Sequence, residues 1–482
     1  MDDRFLEGIR RICSSEHVLT HPHQLETYSS DGLLHYRVRP PVAALPGTAE
    51  EVRRLVRLCH EERVPWVARG SGTGLSGGAL PIEDGLLIVL TRLRRILEVD
   101  LDNQRVVVEP GVTNTQVSAA VAPTHFFPPD PSSQIVCSIG GNVAENSGGA
   151  HCFKYGFTTN YVTGLKVVLP DGAVVAFGGK EWDRPGYDLL GAFVGSEGTL
   201  GIATEIVLRV VPTPESWRTL VAYFDSTDQA GQAVSDIVAS GIVPGAIEMM
   251  DSLSIRACEE ATHAGYPLDV GAALIVELDG VETECEARFD EVAAICKRRG
   301  ANGVRIAQDE TERQLIWKAR KAAFAAMGRV SKSYYVQDSV IPRTRLPDVL
   351  RRIDELSREY GLNVANVFHA GDGNLHPLVC YDPTVPGEAE RAEELAGEIL
   401  VACLDAEGSI TGEHGVGFDK KRYMPKMFSE PDLDAFQRLR CSFDPLQLVN
   451  PGKVMPTPRL CGEVPGPYRQ HPLERAGLAE RF

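Results

Sequence analysis

At 482 residues and 43% hydrophobic content, the chain is long enough to divide into two domains with a cleft between them. Its 49 basic and 66 acidic residues leave a net charge of −17, which disfavours nucleic acid as a partner and requires that any anionic substrate be met by a local basic group. Eleven scattered cysteines without a CxxC pair argue against a disulfide framework and a cysteine-ligated cluster, and no apolar run is long enough for a bilayer, which together fit a reducing cytoplasm.

The first 39 residues read as an N-terminal helical segment, followed by an α+β pattern. Apolar Val52, Leu55, Val56 and Cys59 recur at helical spacing within Glu50 to Glu62. A short strand is expected from Val64 to Arg69 and another from Leu86 to Leu90. Two hairpins follow, Glu98 to Val108 turning at Asp102-Asn103, and Leu165 to Phe177 turning at Pro170 to Gly172. Prolines 212 and 214 bracket a junction, and the first domain is expected to span 40–215. Beyond it, strands at Leu220–Phe224, Ala246–Met250, Ala272–Leu278 and Asn302–Ile306 alternate with helices at Thr227–Ser240 and Glu282–Arg299. This predicts a helix-covered sheet in a second domain over 216–458, with a polar tail from 459 to 482.

Between the first two strands lies a run of glycines from Gly70 to Gly78 that contains GxGxxG at Gly72 to Gly77. A dinucleotide-binding βαβ unit needs a helix directly after the glycines, but Pro81 and Gly85 intervene before another strand. The loop still offers many unobstructed backbone N–H groups, which suits a pyrophosphate; the alternative is a flexible surface loop.

Further motifs follow in order: Pro128 to Pro131, Ser138 to Gly149, Lys154 to Val162 and Gly195 to Ile202. In this order and spacing, residues 40–212 resemble the FAD-binding domain of the vanillyl-alcohol oxidase and p-cresol methylhydroxylase (PCMH) superfamily. The resemblance implies extended FAD, with Gly70, Ser71, Gly72, Thr73, Gly74, Leu75 and Ser76 on the pyrophosphate. Pro129, Asp130, Ser138, Ile139, Gly140, Asn142, Glu145, Asn146, Gly148 and Gly149 would lie toward the flavin and ribityl side. Gly156, Thr158, Asn160, Val162, Glu197, Gly201 and Ile202 would complete the channel. The first glycine loop has no His or Cys, so the FAD is expected to be non-covalent, with His151 and Cys152 in packing roles.

A second signal is His369-Ala-Gly-Asp-Gly-Asn-Leu-His376. Read as a four-residue hairpin loop at Gly371 to Asn374, it pairs Ala370 with Leu375 and sets His369 across from His376, with Cβ atoms about 5 Å apart. Two imidazoles so placed suit one divalent cation. Glu413, in Gly412-Glu-His-Gly, can add an anionic ligand and leave positions open, while His414 offers a neutral base. The alternative is that Glu413 and His414 cap a loop before a helix near Asp419.

Residues 216–456 resemble the C-terminal substrate domain of the glycolate oxidase, D-lactate dehydrogenase and D-2-hydroxyglutarate dehydrogenase branch, and several phrases most resemble the flavin subunits of glycolate oxidases. The implied fold is α+β, a PCMH-type FAD-binding domain with a ferredoxin-like antiparallel-sheet cap. The implied activity is oxidation of a small (D)-2-hydroxy acid. A metal on His369, His376 and Glu413, zinc or manganese, lowers the hydroxyl pKa, His414 takes the proton, and hydride passes to flavin N5. The resemblance also places Arg320 on the substrate carboxylate, and Asn374 is a candidate for orienting substrate. Relatives acting on D-2-hydroxyglutarate carry a lysine where this chain has Val336, which favours glycolate or D-lactate.

Two other readings remain open: a non-redox flavoenzyme of the alkyl-dihydroxyacetonephosphate synthase type, and an accessory flavin subunit. Both leave the two-His, one-Glu set without a use. No iron–sulfur, haem or quinone motif is visible. Electrons would leave through an iron–sulfur partner subunit, a quinone, a soluble carrier or oxygen, and a cytoplasmic enzyme would reach the inner membrane face only through partners.

Overall fold

The computed structural model describes residues 2–181, 186–456 and 461. The tail expected from 459 onward therefore lies outside the described residues, apart from Cys461.

Helix Ala49–Glu62 forms where expected. The Thr48 hydroxyl caps it by accepting from the Glu51 amide at 3.2 Å, and Arg63 ends it in the left-handed region. Its apolar face, with Phe5 and Ile9 of helix Asp3–Cys13, packs on a four-stranded sheet. Three strands of that sheet are parallel, Val42–Ala44, Leu86–Val89 and Trp66–Arg69. The glycine loop leaves the carboxyl end of Trp66–Arg69, where parallel sheets place ligands. A second sheet is antiparallel, in the order Ile96–Asp100, Arg105–Val108, Ile202–Arg209, Val162–Val168, Val174–Gly178, and contains both expected hairpins.

The cap follows from Ser216. Strands Ser216–Phe224, Ala246–Asp251, Ala272–Gly280 and Gly303–Ile306, numbered 1 to 4 in sequence, lie in the order 4-1-3-2 with every pair antiparallel. That is the ferredoxin-like arrangement. Alternation sorts the side chains of the first strand. Leu220, Ala222 and Phe224 face helices Thr227–Ala239 and Glu282–Arg298, while Val221 and Tyr223 join a core with Ser252–Thr262, Glu310–Lys321 and Ala150 of the FAD-side loops. Strand Val364–His369 extends the sheet beside Ala246–Asp251 and carries the histidine hairpin.

Nine cysteines are free and buried, but Cys441 and Cys461 form a disulfide, a pairing the scattered spacing did not signal. Among the described residues, no helix is long and apolar enough to cross a membrane.

Candidate active site

The glycine loop and the cap meet around one cavity of about 340 Å³. Gly70 to Leu75, Ser138, Asn142 and Glu145 line it from one side, and Lys321, Phe324, Tyr334, His376, Glu413 and His414 from the other. A smaller cavity of about 80 Å³ shares Gly70, Ser138 and Glu145 and adds Gly140, Glu197, Gly201 and Ile202. The walls suit a dinucleotide. An added Cβ on Gly74 would meet nothing within 4 Å, and one on Gly70 would lie 2.2 Å from the Ser138 hydroxyl. Glu145 Oε2 and the Ser196 hydroxyl, both on these walls, are buried without a protein partner. Such atoms need a polar ligand, since leaving them unpaired costs about 1–3 kcal/mol each.

The remaining cofactor candidates shape these cavities without lining them. Ile139 and Val162 are core residues. The Pro129 carbonyl accepts from Asn114, and the Ser76 carbonyl accepts from the Phe418 and Asp419 amides. Asn146 takes the left-handed cap of helix Ile139–Glu145 and accepts from the Thr159 amide, while the Thr158 hydroxyl donates to the Ser147 carbonyl. Asn160 accepts from the Phe157 amide beside Gly156, whose positive φ makes the turn. Gly148 and Gly149 permit close approach: a Cβ on Gly148 would lie 2.7 Å from Glu413 Oε2, and one on Gly149, at φ +151°, would lie 2.5 Å from the Asp130 carbonyl.

Asp130 joins a polar seam between the two domains. His151 Nδ1 lies 2.9 Å from Asp130 and Nε2 lies 3.3 Å from Glu277 in the cap strand, which also takes Arg313 and the Trp317 indole. Burial lowers the His151 pKa, but the two carboxylates prevail and hold it up at about 10. His151 is thus an ion-paired clamp, a stronger role than packing.

The histidine hairpin corrects the expected register. His369 pairs with Asn374 and Asn366 with Pro377, a slip of two residues from the expected pairing. A slip of one would have moved His376 to the opposite face; a slip of two keeps it on the same face as His369, one diagonal step away. The imidazole centroids are 5.1 Å apart, and both Nε2 atoms lie 3.3 Å from Glu413 Oε1. Burial raises the Glu413 pKa, but the two imidazoles hold the carboxyl below the usual carboxylate range. His369 Nδ1 is 2.7 Å from the fully buried Glu248, the carboxylate backing typical of metal-bound imidazole.

His376 also belongs to an overlapping set with Asp338 and His414. Asp338 is the poorer ligand, because its oxygens already accept from Asn374 Nδ2 at 2.6 Å, the Thr411 hydroxyl at 2.6 Å and the amides of Gly412 and His414. The donor chemistry favours His369, His376 and Glu413, a set that fits zinc or manganese. His414 stacks on His376 at 4.8 Å, and burial pushes it down to about 4, so its ring is neutral and can accept a proton.

Three residues singled out in the sequence lie behind the cavity wall. Arg320 is 2% exposed; its Nη2 lies 2.6 Å from Glu248, yet its Nε and Nη2 are buried without a hydrogen-bond partner in the protein. Asn374 donates to Asp338. Val336 packs in the apolar core, and its strand neighbour Tyr334 faces the cavity instead. Lys321, Glu248 and Asp338 escaped the sequence reading. A lone acid in the apolar run Ala246-Ile-Glu-Met-Met250 was a usable signal for Glu248; Asp338 gave none.

Comparison with known proteins agrees with this architecture. Residues 40–178 match the family "FAD binding domain" and residues 213–454 match "FAD linked oxidases, C-terminal domain". The chain belongs to the FAD-linked oxidase family. It is 48% identical over 467 residues to the glycolate oxidase subunit GlcD of Escherichia coli (strain K12), covering 97% of this chain and 94% of that one. It is 40% identical to GlcD of Bacillus subtilis (strain 168), covering 89% and 91%, and 32% identical to a probable mitochondrial D-lactate dehydrogenase of Danio rerio, covering 94% and 92%. Among solved structures, substrate-bound p-cresol methylhydroxylase superposes with a TM-score of 0.79 at 17% identity, covering 94% and 96%. Alkyldihydroxyacetonephosphate synthase does so at 0.73 and 18%, covering 94% and 86%; at these identities the likeness is one of fold.

Proposed function

We propose that the protein oxidises a short 2-hydroxy acid, glycolate or D-lactate, to the 2-oxo acid with non-covalent FAD as the immediate acceptor. The observation that carries this reading is the meeting of glycine loops with His376, Glu413 and His414 in one cavity. The names of the curated relatives support it.

FAD, when bound, supplies the acceptor for the hydride from C2. A zinc or manganese ion on His369, His376 and Glu413 would supply Lewis acidity to the substrate hydroxyl. The chain's own groups do the rest. His414, neutral through burial, takes the hydroxyl proton on its ring nitrogen, so that the substrate, losing that proton and the C2 hydride, becomes the 2-oxo acid. Lys321 brings a cation to the cavity wall. Its ammonium donates to Asp130 at 3.3 Å, a carboxylate shared with His151, and keeps further N–H donors for a substrate carboxylate. Phe324 and Tyr334 close the wall with apolar surface, which suits a short chain. Lys321→Met should raise KM for the hydroxy acid about 10-fold with little change in kcat, the signature of lost ground-state binding.

The word "subunit" in the names of the GlcD relatives supports a partner chain as the onward electron acceptor. The test of function is product analysis with glycolate, D-lactate, L-lactate and D-2-hydroxyglutarate. Glyoxylate or pyruvate should form fastest. A preference for D-2-hydroxyglutarate would reassign the substrate, and no 2-oxo acid from any of the four would defeat the oxidative reading.

A further inference from the structure

The segment 411–417 carries both Glu413 and His414, yet it contains no regular secondary structure and has glycines at 412, 415 and 417. Gly415 and Gly417 have positive φ, a conformation that gives the backbone no rigidity of its own. Something outside the segment must fix it. The structure supplies two anchors: Glu197, which accepts from the Val416 and Gly417 amides, and, nearer Glu413 and His414, Asp338, which lies between strands Ser333–Val336 and Ser339–Val340.

Asp338 is fully buried, and its carboxylate collects three successive backbone N–H groups, from Gly412 at 2.8 Å, Glu413 at 3.2 Å and His414 at 3.0 Å. The Thr411 hydroxyl adds a fourth bond at 2.6 Å and itself accepts from the Gly415 amide at 2.9 Å, closing the turn. Asn374 Nδ2 donates at 2.6 Å from the histidine hairpin, and His376 Nε2 lies 3.4 Å away. Lys420, also buried, balances the charge with its ammonium 3.4 Å from the carboxylate and 3.0 Å from the Asp338 carbonyl. One carboxylate thus ties together the loop bearing Glu413 and His414 and the hairpin bearing His369 and His376. Successive N–H groups converging on an anion are a rigid arrangement, and charge-assisted bonds of this kind are about twice as strong as neutral ones.

We propose that Asp338 is a positioning residue for the oxidation, fixing the Glu413–His414 loop against His369 and His376 while touching neither substrate nor flavin. The proposal rests on the reaction assigned above. An amide at this position keeps the size but presents an NH2 to donors that need an acceptor, so the loop must move to relieve the conflict.

The experiment is anaerobic flavin reduction by the hydroxy acid in wild type, Asp338→Asn, Thr411→Val and Asp251→Asn, with a melting temperature and flavin content for each. Asp251 is the comparator: a buried carboxylate that accepts from Ser254 and Asn366 away from the cavity. Asp338→Asn should lower the limiting reduction rate about 10- to 100-fold, the range seen when the partners behind metal ligands are lost, with KM within about 3-fold and flavin retained. Thr411→Val should lower it about 10-fold and decides the matter if Asp338→Asn does not fold. Asp251→Asn should melt earlier yet reduce its flavin at the wild-type rate. The role is overturned if Asp338→Asn or, in its place, Thr411→Val keeps the wild-type limiting rate, or if Asp251→Asn slows reduction by the same factor as Asp338→Asn. A wild type that no hydroxy acid reduces would instead overturn the assigned reaction, and this role with it.

Discussion

The cofactor loops and the histidine cluster face each other across the cavity and are built by opposite means. On the FAD side the site is made by omission: glycines at 70, 72 and 74 expose backbone, and Gly149 allows a close approach that any side chain would block. On the cap side it is made by accumulation. Each cluster histidine has a buried carboxylate beside it, Glu248 for His369 and Asp338 for His376. Shape and N–H groups suffice to hold a large ligand that stays in place. Holding a small cation and a base in register requires fixed side chains, and these need a second layer of partners.

The comparison breaks most visibly at His414. Replacing it with Asn should slow anaerobic flavin reduction by about 10²–10⁴-fold while the flavin remains bound, because only proton removal is lost. Stopped-flow traces would show this directly. Next in size, Glu248→Gln should cost about 10- to 100-fold in metal affinity, read by competition with a chelator, without loss of FAD. Behind the opposite wall, Gly149→Ala should act the other way. Strain of about 1–3 kcal/mol at a positive φ, against the Asp130 carbonyl, should weaken flavin retention about 10-fold and leave metal affinity intact.

The smallest effect belongs to the seam between the two regions. The His151 pKa is raised in the folded protein from 6.5 to about 10, so its stabilising charge is fully present below 6.5 and is lost as pH rises toward 10. The melting temperature should fall by several degrees across that window, and His151→Gln should flatten the dependence. Equal slopes in the two proteins would remove His151 from the seam.

This contrast also explains what the chain made legible. The glycine loops, the hairpins of the first domain and the alternation of strands and helices in the cap are local patterns, and the structure has them. His369, His376, Glu413 and His414 were legible as residue types at suggestive spacings, and the structure brings all four together. The hairpin register was misjudged because the four-residue loop runs from Ala370 to Gly373, one position earlier than expected, and so pairs Asn374 with His369. Arg320 was legible as a candidate, but Glu248 beside it lies 72 positions earlier and could not be read with it. Asp338 was invisible for the same reason: its partners lie 36 to 82 positions away.

The most direct test of the account is anaerobic bleaching of the flavin by glycolate or D-lactate, before and after exhaustive chelation and again after adding back zinc or manganese. The account predicts bleaching that disappears with the metal and returns with it, at unchanged flavin content. Bleaching at the original rate in fully metal-free protein would contradict the role given to His369, His376 and Glu413.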